Sequence, residues 1–276
     1  MNNIQDQRVS NINEMLNALT NLTQLHLYLW ECQIVDQGAY YIGESLQNCK
    51  NLISLELSLS KNNIGDESCS ILAKGLSNCT KVQNLILYLW QNKIEDQGLI
   101  TLGKWLSNCS QIKQLLIYLG ANIIGSEGAQ QITYGLRNNL DLQKLDLSYT
   151  NNQIDDGIIL GLMSLTKIEE LFLYLVKNNI SDKGAVKIAE CIEKLQSIKN
   201  LQLSLRQNQI SEKGYLCIGD SLSKLENLQT LQLTLGQIRN LKYQRQSSFQ
   251  INNLTSGKMK NISNLRVYQT VKTYKF

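Results

Sequence analysis

The stretch LILYLWQNKIEDQGLITLGKWLSNC, from Leu85 to Cys109, decides the fold because it contains one complete structural unit. Its first residues alternate between apolar and other side chains, and this period of two predicts a strand with two different faces. Its second half has apolar residues at helical spacing, which predicts an amphipathic helix. The apolar positions are Leu85, Leu87 and Leu89 in the strand and Leu99, Leu102 and Leu106 in the helix. The unit is therefore a strand, a tight loop, a helix and a return.

The same unit recurs eight times along the 276-residue chain. A single unit cannot bury its own apolar face, so strands must pair with strands and helices must pack on helices, which makes a solenoid. Paired strands lie ~4.8 Å apart and packed helices ~8–10 Å apart, so the strands should line the inner side of an arc. The first leucines of the units are Leu25, Leu55, Leu85, Leu115, Leu145, Leu171, Leu201 and Leu231. Their spacing is 30 residues, except for a step of 26 between Leu145 and Leu171, which predicts a shorter outer helix in unit five.

Two polar positions also recur in the loops. An amide side chain at the first can pair buried loop N–H and C=O groups, so a structural role is expected there. Short acids or hydroxyls at the second precede each helix, and we expect them to be N-caps. The amides are Asn62, Asn92, Asn122, Asn152, Asn178 and Asn208; the expected caps are Asp36, Asp66, Asp96, Ser126, Asp156, Asp182 and Glu212.

The repeated pattern LxxLxLxLxxNxIxDxGxxxLxxxLxxC resembles the ribonuclease-inhibitor class of leucine-rich repeats over roughly residues 22–235. The resemblance implies an α/β solenoid, a curved horseshoe with parallel strands on the concave face and helices on the convex face. The unit here has 30 residues instead of about 28, because an x-Leu pair is added to the strand segment. This addition either lengthens the strand or places a bulge at its end.

Three regions are expected along the chain. Residues 1–21 should form an N-terminal helical cap, residues 22–236 the eight repeats, and residues 237–276 a basic segment with a degenerate ninth strand near 262–268. The last region has no acidic residue and eight basic ones, so residues 1–236 carry a formal net charge of −4. The basic residues are Arg239, Lys242, Arg245, Lys258, Lys260, Arg266, Lys272 and Lys275. Their wide spacing argues against nucleic-acid binding and leaves three interpretations: contact with acidic lipid, contact with an acidic protein surface such as a microtubule, or a solvated terminal cap.

The residues that vary between units identify the candidate binding surface. Aromatic side chains on a rigid concave surface are typical anchors of protein interfaces. We therefore expect partner binding by His26, Tyr28, Trp30, Tyr88, Trp90, Tyr118, Phe172, Tyr174 and Arg206. The alternative is that Trp30 and Trp90 pack against their own loops, whereas Trp105 should pack between outer helices.

Several classes of chemistry have no signature in the sequence. His26 is the only histidine, and no nucleophile–histidine spacing, phosphate loop or metal-ligand spacing is found, so we expect no enzyme activity, metal or cofactor. The N-terminal residues contain no apolar run of the length that a signal peptide or membrane span requires. The seven cysteines occupy repeat positions and are expected to be buried thiols in a reducing compartment. These features predict a cytoplasmic protein that does not insert into membranes.

The sequence favours a non-enzymatic, protein-binding scaffold that uses the concave face. One hypothesis is a structural subunit of a multi-subunit cytoskeletal or ciliary assembly, because the chain resembles the proteins with this repeat and an AT-rich composition that are common in ciliary complexes. The alternative is a soluble regulator or inhibitor that binds one partner reversibly. The resemblance also implies a GTPase-activating-type role as a form of this alternative.

Overall fold

The computed structural model describes residues 4–19, 21–157, 160–236 and 264–269. The strands in these ranges form one parallel sheet in chain order. They are β1 (Gln24–Tyr28), β2 (Ser54–Ser58), β3 (Asn84–Tyr88), β4 (Gln114–Tyr118), β5 (Lys144–Ser148), β6 (Glu170–Tyr174), β7 (Asn200–Ser204), β8 (Thr230–Leu235) and β9 (Asn264–Gln269). The α-helices are α1 (Ile4–Asn17), α2 (Asp36–Asn48), α3 (Asp66–Leu76), α4 (Asp96–Leu106), α5 (Ser126–Gly135), α6 (Asp182–Lys194) and α7 (Glu212–Leu222).

The leucines of the repeat are aligned across the sheet and form its buried side. Leu55 pairs in register with Leu85, and Leu85 with Leu115, so each unit stacks on the equivalent residues of the next. All three side chains are fully buried against the helical layer. The predicted α/β leucine-rich-repeat solenoid is therefore confirmed.

The two additional residues lengthen the pairing between units. The Leu89 N–H donates to the Tyr118 carbonyl at 2.9 Å, and the Gln91 N–H donates to the Gly120 carbonyl at 2.8 Å. The ladder thus continues past the end of β3, and the chain turns only at Gln91, which has a φ of 56°. Equivalent left-handed residues follow β1, β2 and β4 to β7: Glu31, Lys61, Ala121, Asn151, Lys177 and Gln207.

The asparagine row has the predicted structural role. Asn62 Oδ1 accepts hydrogen bonds from the N–H groups of Cys32 and Ile34 in the preceding unit, at 3.0 and 2.9 Å. Its Nδ2 donates to the carbonyls of Leu29 and Leu59. Each such asparagine therefore completes the loop of the unit before it.

The prediction that the recurring acids are N-caps is wrong. Asp66 and Asp182 are the first residues of their helices, and the N-cap positions belong to Gly65 and Ser181. The Asp182 carboxylate instead reaches the following unit, where it accepts from the Ser211 N–H at 2.7 Å and the Ser211 hydroxyl at 2.6 Å. The acids therefore connect successive loops in the direction opposite to the asparagines.

Unit five differs from the others as its length predicts. A 3-10 helix, Leu160–Ser164, stands where the other units have a longer α-helix. Tyr149 takes a core position that is leucine in the neighbouring units, such as Leu119 and Leu175, and it is 1% exposed. Its hydroxyl has no hydrogen-bond partner, so the ring contributes to the core through packing alone.

Trp105 packs within the helical layer, as predicted. It is buried, and its indole Nε1–H donates to the Leu76 carbonyl at 2.9 Å. The prediction that all seven cysteines are buried is wrong for Cys32 and Cys217, which are half-exposed; all seven are free thiols.

At the C-terminal end, β9 pairs in parallel with β8 and places Leu265 beside Leu231. The sequence had suggested a strand near 262–268. Of the basic residues, only Arg266 lies on this strand. The others, at 239, 242, 245, 258, 260, 272 and 275, lie outside the described residues.

Candidate functional site

The side chains that alternate with the buried leucines form the surface opposite the helices, here called the concave face. Its most exposed members are aromatic. Tyr28 and Trp30 are each 56% exposed and Trp90 is 41% exposed, although such large rings are usually covered in folded proteins. They lie at the N-terminal end of the sheet, on or just after β1 and β3.

Across β1 to β6, the sheet register aligns four tyrosines in one row, with serines in its gaps. Tyr28, Ser58 and Tyr88 are successive partners across β1, β2 and β3. Tyr88 stacks on Tyr118 with ring centroids 5.0 Å apart and an interplanar angle of 6°. The row therefore has a step equal to the strand spacing, and Tyr88 and Tyr118 stack face to face along it. The remaining members are Ser148 and Tyr174.

A cavity of about 340 Å³ opens where Ser58 interrupts the row. Tyr28 and Tyr88 stand on either side of it, and the small side chain of Ser58 leaves the space between them empty. We call this space the Ser58 slot. Its complete lining consists of Tyr28, Trp30, Glu56, Ser58, Ser60, Lys61, Tyr88 and Trp90.

The two tryptophans share one cation at the edge of this cavity. Lys61 Nζ lies 5.6 Å from the centre of the Trp30 ring and 5.8 Å from that of Trp90. It also lies 3.5 Å from a carboxylate oxygen of Glu31. Trp90 packs against Gly120 of the next unit, where an added Cβ would lie 2.8 Å from Trp90 Cδ1. Each indole nevertheless keeps a large exposed surface.

A carboxylate is part of the lining of the slot. Glu56 Oε2 lies 2.9 Å from His26 Nδ1, and the Glu56 side chain is only 17% exposed. Hydrogen bonding to Glu56 raises the pKa of Tyr28. Burial, followed by the charge of Glu56, raises the pKa of Tyr88. The negative charge of Glu56 therefore acts on both tyrosine walls.

A second acid lies farther along the concave face. Asp146 accepts a hydrogen bond of 2.7 Å from the Tyr118 hydroxyl and is 6% exposed, and its Oδ1 is buried without a partner. Burial raises the pKa of Asp146. Burial also raises the pKa of Tyr174 in the next unit.

The structure thus separates the predicted contact residues into groups. His26, Tyr28, Trp30, Tyr88 and Trp90 lie in or next to the Ser58 slot, and Tyr118 stacks on its edge. Phe172, with Lys144 Nζ 5.3 Å from its ring centre, and Tyr174 lie near Asp146, whereas Arg206 follows β7 farther away.

Sequence reasoning missed Glu56 and Lys61 as members of the site. The available signal was their register: both belong to unit two, whose concave positions are small or charged between two aromatic units.

Other site types were sought across the residues that the structure describes. No three His, Cys, Asp or Glu side chains there converge as a metal site would require. None of the helices in the same ranges combines the length and hydropathy needed to cross a bilayer.

Comparisons with known proteins identify similar folds only. No family model and no curated protein matches the sequence. Among solved structures, an internalin (inlF) from Listeria monocytogenes is 21% identical, with a TM-score of 0.46, over 94% of this chain and 70% of its own. An internalin C2 from the same species is 22% identical, with a TM-score of 0.44, over 79% of this chain and 84% of its own. A TDR receptor is 12% identical, with a TM-score of 0.42, over 93% of this chain and 49% of its own.

Proposed function

We propose that this protein is a non-enzymatic scaffold of the ribonuclease-inhibitor-like class that binds another protein through its concave face. The observation that supports this most strongly is the exposure of Tyr28, Trp30 and Trp90 around one cavity. Exposed aromatic clusters on folded proteins usually mark interfaces, because burying them releases much apolar surface from water.

The rigidity of the surface supports the same function. Strands β2 to β8 each pair with a neighbour on both sides, and the loops of units one to six are each held by an asparagine of the next unit. The aromatic side chains therefore need little further ordering when a partner binds, and this reduces the entropic cost of association.

A permanent place in a larger cytoskeletal or ciliary assembly of the cytoplasm is the preferred form of this function. Obligate interfaces are more apolar than transient ones, and an aromatic surface of this exposure suits lasting coverage. Free thiols, five of them buried, suit a reducing compartment. We further propose that α1 covers the first unit and β9 the last as terminal caps of the array.

The second candidate is a regulator or inhibitor that binds reversibly, including one of GTPase-activating type. The charged pair of Glu56 and Lys61 in the cavity favours it, since transient interfaces tolerate more charge than permanent ones. Extraction with high salt separates the two forms: a lasting assembly retains the protein, whereas a reversible complex releases it.

The binding function is tested by a matched pair of triple variants. Replacing Tyr28, Trp30 and Trp90 with alanine should abolish recovery of the native partner in quantitative affinity purification from the source cells. The control replaces Tyr40, Ile123 and Leu140, which have similar exposure away from the concave row. Equal recovery by both folded variants would refute the concave-face proposal.

A further inference from the structure

Within the proposed binding function, on which this inference rests, we propose that the Ser58 slot binds the guanidinium group of an arginine side chain of the protein partner. The slot would then be the position at which the concave face recognises a particular residue. Four observations support this ligand: the width of the slot, its charge, the cation already held beside it, and the equivalent acid of unit five, which is bonded to a tyrosine.

The width of the slot fits one flat group. Tyr28 and Tyr88 are two strands apart, which corresponds to roughly 9.6 Å at a strand spacing of ~4.8 Å. A planar group halfway between them would lie at almost the same distance from each ring as Tyr88 lies from Tyr118, 5.0 Å. Ser58 thus leaves the place of one missing ring in an otherwise stacked row.

The charge of the slot selects a cationic occupant over a neutral ring. The Glu56 carboxylate lines the slot together with the two tyrosines, and its side chain is only 17% exposed. Guanidinium is planar, stacks on aromatic faces and donates hydrogen bonds to carboxylates, so it satisfies the tyrosines and the carboxylate together. The net charge of −4 over residues 1–236 also favours a basic partner.

The chain already holds one cation between the same two aromatic units. Lys61 Nζ is nearly equidistant from Trp30 and Trp90, at 5.6 and 5.8 Å. Its charge is paired with Glu31 and not with Glu56. Lys61 therefore already lies between the two tryptophans. The space between the two tyrosines, in contrast, is open and has an acid beside it.

Unit five contains the same order of residues, with its acid bonded to a flanking tyrosine. Asp146 and Ser148 repeat the order of Glu56 and Ser58, and Tyr118 and Tyr174 flank them in the same register. There Asp146 is 6% exposed and accepts a hydrogen bond from the flanking Tyr118 hydroxyl, whereas Glu56 lies 2.9 Å from His26 Nδ1 and keeps 17% of its side chain exposed. Unit five therefore supplies a matched control position for the open slot.

The test uses two tripeptides that differ only in charge, acetyl-Gly-Arg-Gly-amide and acetyl-Gly-citrulline-Gly-amide. Binding to the full chain is followed by NMR of the Trp30 and Trp90 indole signals, with Trp105 as the buried reference. The arginine peptide should bind about tenfold more tightly, the equivalent of one charged hydrogen bond, and Glu56→Gln should abolish that preference.

A substitution that fills the slot gives the second readout. Ser58→Tyr completes the stacked row and should block the arginine peptide, whereas Ser148→Tyr should leave its binding unchanged. If Ser58→Tyr fails to fold, Glu56→Gln decides the question. Equal binding of the two peptides by the wild-type chain, tighter binding of acetyl-Gly-Tyr-Gly-amide, or no indole shift would each overturn the proposal.

Failure of this proposal and failure of the binding function give different results. Loss of partner recovery in the Tyr28, Trp30 and Trp90 variant without any arginine preference rejects the slot and keeps the scaffold function. Unchanged partner recovery in that variant rejects both.

Discussion

Asn139 is the residue at which a single unit departs most clearly from the chemistry of its neighbours. It follows Cys49, Cys79 and Cys109 in a series with a step of 30 residues. It is 1% exposed, and neither its Oδ1 nor its Nδ2 has a hydrogen-bond partner. A buried amide without partners loses its hydration and gains nothing in return.

Replacing Asn139 with the cysteine of the other units should therefore stabilise the protein. We expect Asn139→Cys to raise the free energy of unfolding by about 1–3 kcal/mol, measured by urea denaturation. Asn138→Cys, at the exposed neighbouring position, is the control and should give no gain. An Asn139→Cys variant that is less stable than wild type would show that this amide has a compensating role.

The acid Asp146 should make stability depend on pH in the opposite sense to most carboxylates. Burial raises the pKa of Asp146 above its ordinary value of 3.8. The folded state therefore favours the protonated form, and stability falls as pH rises from below 3.8 through the folded-state pKa. Asp146→Asn should raise the melting temperature at neutral pH, and this gain should disappear below pH 3.8.

Asp156 provides the contrast for that experiment. Burial alone would raise the pKa of Asp156, but hydrogen bonds from Ser181 and Gly184 hold it below its ordinary value. Asp156→Asn should therefore lower the melting temperature at neutral pH. If Asp146→Asn and Asp156→Asn changed the melting temperature in the same direction, the assignment of Asp146 as a destabilising charge would be contradicted.

At the residue scale, the sequence predicted which side chains face outward but not how they combine. Period-two alternation was sufficient to place Tyr28 and Tyr88 on the concave face. The slot between them depends on a ring contact, Tyr88 with Tyr118, and on the reach of Lys61, and neither follows from spacing. The helix-start acids were misjudged because a position beside a helix end does not determine which N–H groups the carboxylate meets.

At the scale of elements, the outer helices touch through glycines. An added Cβ on Gly103 would overlap with the Gln131 carbonyl oxygen of α5, and one on Gly135 with the Gly103 carbonyl of α4. These helices therefore approach each other closely, near the lower end of the ~8–10 Å range of packed helices. The distance between neighbouring helices is then closer to the distance between neighbouring strands. Since the difference between these two distances curves the array, close helices reduce the curvature.

This contact reverses the usual effect of a glycine substitution in a helix. Gly→Ala within a helix normally stabilises by about 1 kcal/mol, but Gly103→Ala should destabilise by about 1–3 kcal/mol because the methyl group overpacks the contact. Gly65→Ala, at the N-cap of α3, would meet only the Lys93 carbonyl oxygen at 3.8 Å and should lose only about 0.5 kcal/mol, because glycine is preferred over alanine at an N-cap. Thermal unfolding of Gly103→Ala and Gly65→Ala measures this difference in stability. Equal melting temperatures of the two variants would refute the close contact.

The pattern of the sequence was sufficient to predict strands, helices and the shortened fifth unit. It left open whether the added residues lengthen the pairing or form a bulge, because both fit the same alternation. The continuation of the ladder to Gln91 answers this, since the hydrogen bonds past β3 remain regular before the left-handed turn.

At the scale of the whole molecule, each unit contacts mainly its neighbours, so damage at one end should remain local. Deleting residues 258–276 removes β9 and exposes the edge of β8. We expect faster amide hydrogen exchange in β8 and β7, unchanged exchange in β2 and β3, and aggregation through the open edge. Uniformly faster exchange along the chain would instead indicate one cooperative unit, and unchanged exchange in β8 would show that β9 does not protect it.

The asparagine row has a consequence for how the chain is made. The loop of unit two closes only when Asn92 accepts from the Ile64 N–H, and the corresponding separation in sequence is 28 residues. A ribosome releases the chain from its N-terminus, so every loop must remain open until nearly one further unit has emerged. Folding during synthesis should therefore follow translation with a delay of about one repeat, and a pause within any unit leaves the loop of the preceding one unfinished.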